Sequence, residues 1–384
     1  MTHDRKNKGN VPNLRFPEFG GEWEPFKIKD IIRMISGGTP SMQCSNYWNG
    51  DIPLISAQSM HNTYITSSTQ SITDEGLAHG SKLLQKNNLL LLVRGSMLWK
   101  RIPICYNLVD VAFNQDVKGI VVNKKSISTF MLYWLQSKEP LLKSIVTGTS
   151  IGAGKLDSDN ILSLYIYLPN KDEQSKISRL FFLLDERIAT QNKIIEQYKS
   201  LIKGLIYTYL LGESNKYRKL GEFCQIKKGE QINRTELLKT GKYYVMNGGV
   251  TPSGFYHSFN TERNTISVSE GGNSCGYVQY NDVPFWSGGH CYTLEDIDKD
   301  IDDRYLFHYL KANEPQIMAL RIGSGLPNIQ KKDLSHFCIP MPSLLNQKEI
   351  SDTLDKIILK IELEKSTILV YQKQKIYLLR NLFI

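Results

Sequence analysis

Apolar residues recur at two different spacings along this chain. From Glu173 to about Leu211 they return every three or four residues. The seam reads Ile177, Phe181, Leu184, Ile188, Gln191, Ile195, Tyr198, Ile202, Leu205, Tyr209, apolar everywhere except Gln191. No proline interrupts it, and its one internal glycine is Gly204. The same pattern returns at the C-terminal end as Ile350, Leu354, Ile357, Ile361, Glu364, Ile368, Tyr371, Lys375, Leu378, Leu382. Gln191 and Glu364 interrupt the two seams at the same step, and Tyr198 matches Tyr371. A heptad stripe this long predicts two helices of about 40 residues, on the order of 60 Å each, that bury their seams against one another. Ile177, Leu184, Ile188, Ile195 and Tyr198 are expected to pair with Ile350, Leu354, Ile361, Ile368 and Tyr371.

Outside these stripes the apolar runs are short and separated by Gly- and polar-rich turns. Ile52–Ser56, Leu89–Val93, Val117–Val122 and Leu164–Leu168 read as strands. Ile127–Val146 reads as a helix with a break at Pro140. After Gly212-Glu213-Ser214-Asn215 the plan restarts. Lys219–Phe223 matches Lys27–Ile31, Ile266–Ser269 matches Leu90–Val93, Arg304–Ile322 matches Thr129–Thr147, and Phe337–Pro342 matches Leu164–Pro169. The expected fold is α+β, an internal duplication with two α/β domains joined by two long antiparallel helices. The expected boundaries are a tail (1–15), a first domain (16–170), a first long helix (171–212), a second domain (213–343) and a second long helix (344–384). Antiparallel pairing of the helices would place the two domains at opposite ends, related by an approximate two-fold axis.

Composition adds a partner class. The chain has 384 residues, too many for one ordinary core. Its formal net charge is +9, which suits a polyanion such as nucleic acid and equally suits plain solubility. The six cysteines make no C-x-x-C pair and no zinc-like spacing, as expected of thiols in a reducing cytosol. The first ten residues are polar, and the longest aliphatic run, Leu89–Val93, is too short for a bilayer span. A cytoplasmic protein without membrane association is expected.

The chemistry lies in loops rather than in a catalytic constellation. Gly148–Lys155 resembles a phosphate loop, but its glycine spacing is wrong and Leu156 stands where a hydroxyl residue is required. Its repeat copy is Gly323-Ser324-Gly325-Leu326-Pro327-Asn328. Ser150, Lys155, Arg321, Ser324 and Lys331 on or beside these loops are candidates for phosphate contacts, and a simple turn remains an equal alternative. Gly38, Thr39 and Ser41 either close onto a groove or form a turn only. Arg94, Lys100, Arg101, Asn114 and Gln115 carry the donors and amides that read base edges. Their candidate counterparts are Asn273 in the Glu270–Asn273 loop, Ser287 and His290, together with Lys227, Lys228 and Asn247. Each alone reads more readily as a surface polar group than as a base contact; as a set on the loops of a duplicated basic chain they gain weight. The seven histidines show no metal-ligand spacing, and no metal site is expected. No methyltransferase, hydrolase or nuclease motif is present, which favours a binding protein.

The order of these features resembles the specificity (S) subunit of type I restriction–modification systems. The resemblance rests on the lead-in Leu14-Arg15-Phe16-Pro17 to Trp23, on Ile35-Ser36-Gly37-Gly38-Thr39-Pro40-Ser41, and on Glu173-Gln174-x-Lys176-Ile177, repeated as Asn346-Gln347-x-Glu349-Ile350 after a proline-terminated strand. It also rests on long helices closing on Leu382-Phe383. The departures are Asn346 for the Glu of the first copy and Tyr167 for the Pro of the second. The resemblance implies a non-catalytic subunit whose two target-recognition domains read a bipartite double-stranded DNA sequence across an unread spacer. It implies docking of two methyltransferase (M) subunits and of restriction (R) subunits. Cofactors are expected in those partners (S-adenosylmethionine, ATP and Mg²⁺), with none in this chain. A coiled-coil scaffold that binds only proteins is the alternative. A self-contained methyltransferase is a third, disfavoured by the missing cofactor motifs.

Overall fold

The computed structural model describes residues 9–150, 152–211, 216–323, 325 and 327–384. The chain divides into two units. The first comprises 1–191 and 367–384, the second 192–366. Each unit therefore holds one α/β domain, the near half of one long helix and the far half of the other.

In the first unit the central sheet has the order Ile32–Ser36, Val117–Val122, Leu89–Leu92, Ile104–Asn107, Tyr64–Ile65. Leu89–Leu92 is wholly buried, as expected of a strand covered on both faces. A second sheet is built on Trp48–Ile55 running parallel to Val111–Phe113. Helix α1 (Ser128–Ser137) carries six consecutive buried residues, Phe130 to Leu135. Pro140 sits in the first turn of α2 (Glu139–Ser144), where its missing N–H costs no helical bond. The long helix α3 spans Lys171–Leu211.

The second unit repeats the plan. Its sheet has the order Gln225–Lys228, Cys291–Glu295, Thr265–Ser269, Val278–Asn281, and its second sheet pairs Tyr243–Met246 parallel with Trp286–Ser287. Helices α4 (Asp303–Ala312) and α5 (Glu314–Ala319) repeat α1 and α2, with Pro315 placed like Pro140. The second long helix, α6, spans Leu344–Asn381. The first sheet has one strand more, Tyr64–Ile65, which runs parallel to Ile104–Asn107.

The helix seams are inward in both units. Ile177, Phe181 and Leu184 of α3 share a core with Leu378, Leu382 and partly buried Tyr371 near the end of α6. Ile202, Leu205 and Ile206 near the end of α3 share a core with Ile350 and Leu354 at the start of α6. Start meets end in each unit, so the pairing is antiparallel. Ile195, Ile361 and Ile368 are buried, and Ile188 and Tyr198 are half-buried. The side chain of Tyr209 lies outside the described residues.

The Gln of the repeated motif locks each domain to its helix. Gln174 is buried; its Oε1 accepts from Ser126 Oγ (3.1 Å) and from the Ile127 N–H (3.0 Å) just before α1, and its Nε2 donates to Pro169 O (2.9 Å). Gln347 repeats this, accepting from the Asp302 N–H (2.8 Å) before α4 and donating to Pro342 O (3.0 Å). The neighbouring position explains the departure at Asn346. Glu173 is buried and takes a two-pronged grip from Arg15 (2.8 and 2.7 Å), which fastens the lead-in segment to the first domain. The second repeat has no such arginine lead-in and carries Asn346 there.

Candidate nucleic-acid interface

Strand register aligns the two domains residue by residue. Ser36 pairs with Lys118, and Lys228 pairs with Tyr292. Lys118 faces Leu91 across the sheet, and Tyr292 faces Val268. Counting onward, Glu270 takes the place of Val93 and Gly271 that of Arg94, which moves the sequence match of Ile266–Ser269 with Leu90–Val93 by one residue. Ser287 takes the place of Phe113, Gly288 and Gly289 those of Asn114 and Gln115, and His290 that of Asp116. Backbone bonds agree: Val93 N–H donates to Asp116 O (2.8 Å) and Glu270 N–H to His290 O (2.9 Å). In both domains the first strand ends in a glycine pressed on this segment. A Cβ on Gly37 would strike Phe113 O, and one on Gly229 would strike Ser287 O.

In the first domain several loops meet at these strand ends. Thr39 Oγ1 donates to Gln115 Oε1 (2.9 Å), and Gly38 N–H donates to Phe113 O (2.9 Å). A Cβ on Gly38 would strike Gly80 O, so this glycine serves close packing. Arg94 is half-exposed, 3.9 Å from Asp116, and pairs in register with Lys155. Gly148 to Gly154 is the turn of a short hairpin, whose Gly152 O accepts from Trp99 Nε1 (3.1 Å). Ser150 is exposed in that turn. Thr39, Gln115, Arg94, Trp99 and Lys155 are thus exposed on these loop ends, with a carboxylate beside each cation: Asp116 by Arg94 and Asp157 by Lys155 (3.8 Å). Asn114 is partly spent, its Oδ1 accepting from the Asp116 N–H (3.1 Å). Ser41 Oγ accepts from the Gln43 N–H (3.3 Å), and Lys100 is exposed, its carbonyl accepting from Lys143 Nζ (2.8 Å).

Two of the candidate residues sit apart from these loop surfaces. Arg101 does not join the loops. Its guanidinium donates to Met60 O (2.8 Å) and His61 O (3.5 Å), and it lines a cleft with Gln136, Lys375 and Ile376. Ser287 presents no surface to a ligand, being only 1 % exposed, because it occupies the core position that Phe113 fills in the first domain.

The second domain holds a cleft at these strand ends. A cleft of about 490 Å³ is lined by Lys228, Asn247, Glu270, His290 and the glycine turns at 248–249 and 271–272. Lys228 Nζ contacts Glu270 Oε1 at 2.6 Å, and His290 Nδ1 lies 3.6 Å from Glu270 Oε2. Asn247 Oδ1 accepts from the His290 N–H (3.0 Å). Lys227 points away and pairs with Glu295 (3.5 Å). Asn273, Arg321 and Lys331 are exposed nearby in sequence. Ser324 lies outside the described residues. In the sequence the Glu270–Asn273 loop stands out as a candidate, but through Asn273 rather than Glu270. The signal available was a charged residue directly after the strand Thr265–Ser269, at the step where the sister run still carries Val93.

Among the described residues no cluster of three or more His, Cys, Asp or Glu could hold a metal ion. No described helix is long and apolar enough to cross a membrane. Burial pushes the thiols of Cys105 and Cys224 up to about 12, so neither is a nucleophile at neutral pH.

Two sheet-and-helix domains of one design, each presenting polar loops at the same strand ends, define a duplicated recognition protein. The chain belongs to the type I restriction modification DNA specificity domain family, whose model matches it twice, at residues 20–199 and 212–370. It is 38% identical over 145 residues to a putative type I specificity subunit of Mycoplasma pneumoniae (37% of this chain, 38% of that protein). It is 31% identical over 185 residues to a type I restriction enzyme specificity subunit of Escherichia coli (48% of this chain, 45% of that protein). These alignments span less than half the length of either relative. A crystal structure of a type I restriction–modification S subunit from M. genitalium shares the fold, with a TM-score of 0.66 at 20% identity, covering 97% of this chain and 99% of that one.

Proposed function

We propose that this chain is the DNA specificity subunit of a type I restriction–modification complex. Each domain reads one half of a bipartite duplex target, and the protein itself catalyses nothing. The observation that carries this is the family match to both halves of a duplicated chain, each half presenting a different set of polar loop residues on the same frame. The net charge of +9 supports a phosphate-rich partner. Arg94, Lys155, Lys228, His290, Arg321 and Lys331 supply donors to phosphates and base edges.

Methyltransferase subunits, two per chain, and restriction subunits are the proposed protein partners, with S-adenosylmethionine, ATP and Mg²⁺ bound there. The outer surfaces of the long helices support docking. Leu359, Leu369, Val370, Ile376 and Tyr377 of α6 are each half-exposed or more. A cytoplasmic location follows from this role.

Mapping methylated adenines in DNA from cells with and without this chain, the methyltransferase present in both, tests the reading. A bipartite motif that appears only with the chain is expected. Identical methylation in both, with no salt-dependent duplex binding by the complex, would leave a protein-only scaffold.

A further inference from the structure

Glu270 is a carboxylate at a position where the first domain has a buried valine, and it is 7 % exposed. Burying an ionised carboxylate is costly unless its oxygens find partners. Oε1 has them: Lys228 Nζ at 2.6 Å and Tyr292 OH at 3.1 Å. Oε2 has no hydrogen-bond partner; the imidazole Nδ1 of His290 lies 3.6 Å away. The carboxylate lines the open cleft of about 490 Å³ together with Asn247 and two glycine turns, which leave room for close approach of a flat group. One acceptor oxygen is therefore desolvated and unspent, on a side chain that lines the cleft.

We propose that Glu270 is a specificity-determining residue of the second domain, its Oε2 accepting a hydrogen bond from the exocyclic amino group of a target base. Adenine N6 and cytosine N4 are the two sources of that group in the major groove. Guanine O6 and thymine O4 would place an acceptor against the carboxylate and are rejected. Lys228 offsets the charge, and the His290 imidazole stands beside it. An adjacent donor suits adenine N7 as well as a backbone phosphate. The first domain has no equivalent, since Val93 occupies this position and the exposed Arg94 follows it. This inference rests on the DNA-reading role proposed above.

The test uses the full chain in complex with its methyltransferase partner, with methylated sites mapped for wild type, Glu270→Val and the nearly isosteric Glu270→Gln. The wild-type motif is expected to carry adenine or cytosine at one position of the half read by the second domain. Discrimination at that position alone should fall roughly tenfold or more in at least one variant. Competition with duplexes carrying purine for that adenine, or pyrimidin-2-one for that cytosine, identifies which amino group is read. An unchanged motif in methylating variants overturns the assignment, and so does relaxation confined to the other half. Loss of all methylation in both variants assigns Glu270 a structural role and overturns it too. A wild-type complex without sequence-dependent methylation overturns the DNA-reading role itself.

Discussion

The two domains share a frame and differ at its loop ends. In both, the same four strands pair in the same order, a proline opens the short second helix, and a buried glutamine ties the domain to its long helix. On that frame the first domain offers an exposed arginine beside a hairpin lysine. The second offers a cleft with a buried carboxylate flanked by Lys228 and His290. The lesson is physical. Strand pairing and core packing tolerate little change, whereas loop side chains at strand ends vary without disturbing either. One architecture can therefore carry two unrelated binding chemistries.

The contacts between domain and helix also differ in chemistry. Tyr133 of α1 donates to Asp185 (3.1 Å), which also takes Lys375 (2.6 Å). At the equivalent place in α4, His308 contacts Asp355 (2.7 Å), which is also gripped by Arg304. Burial pushes His308 below its ordinary value, and this outweighs the opposing pull of Asp355. Asp355 is raised by burial but held lower overall by its bonds to Arg304 and His308.

The sharpest way to break the comparison is exchange. Replacing the first domain by a relative's should change one half of the methylated motif completely and leave the other half intact. A change in both halves would end the two-reader description.

Gln174→Leu and Gln347→Leu come next. Each strands a part-buried backbone N–H, at a cost of about 1–3 kcal/mol. Hydrogen exchange should show loss of protection only in the unit that carries the substitution. Arg15→Ala leaves Glu173 charged and buried, and should cost roughly 2 kcal/mol in the first unit. The same readout in the second unit should be unmoved, since its helix entry carries Asn346.

The smallest effect is on pH dependence. The unfolded chain binds a proton at His308 more readily than the folded one. The stability from neutral burial is therefore complete above about 6.5 and is lost as pH falls below it. The stabilising effect of ionised Asp355 is lost further down, below about 3.8. Acidification from pH 7 to 5 should lower protection in the second unit, and His308→Gln should remove that slope. An equal slope in the variant would assign the effect elsewhere.

Much of this was legible in the sequence. The heptad seam named nearly every inward-facing residue of the long helices, because helical periodicity is local. The repeats of Thr129–Thr147 as Arg304–Ile322 and of Gln174 as Gln347 exposed the duplication, because the same local geometry demands similar residues twice. The family model matches both copies.

The loop ends were decided only by tertiary structure. Arg101 looks like a base reader in sequence, yet its guanidinium is spent on the carbonyls of Met60 and His61, forty residues away. Ser287 looks exposed, yet strand register seats it in the core position of Phe113. Glu270 looks like a turn residue, yet the same register buries it at the position of Val93 with one oxygen unspent. In each case the direction and solvation of a side chain were set by strands distant in sequence. Local pattern predicts periodic elements because each turn or pleat repeats the last. It is silent on which loop end meets which, because that depends on pairings made across the whole domain.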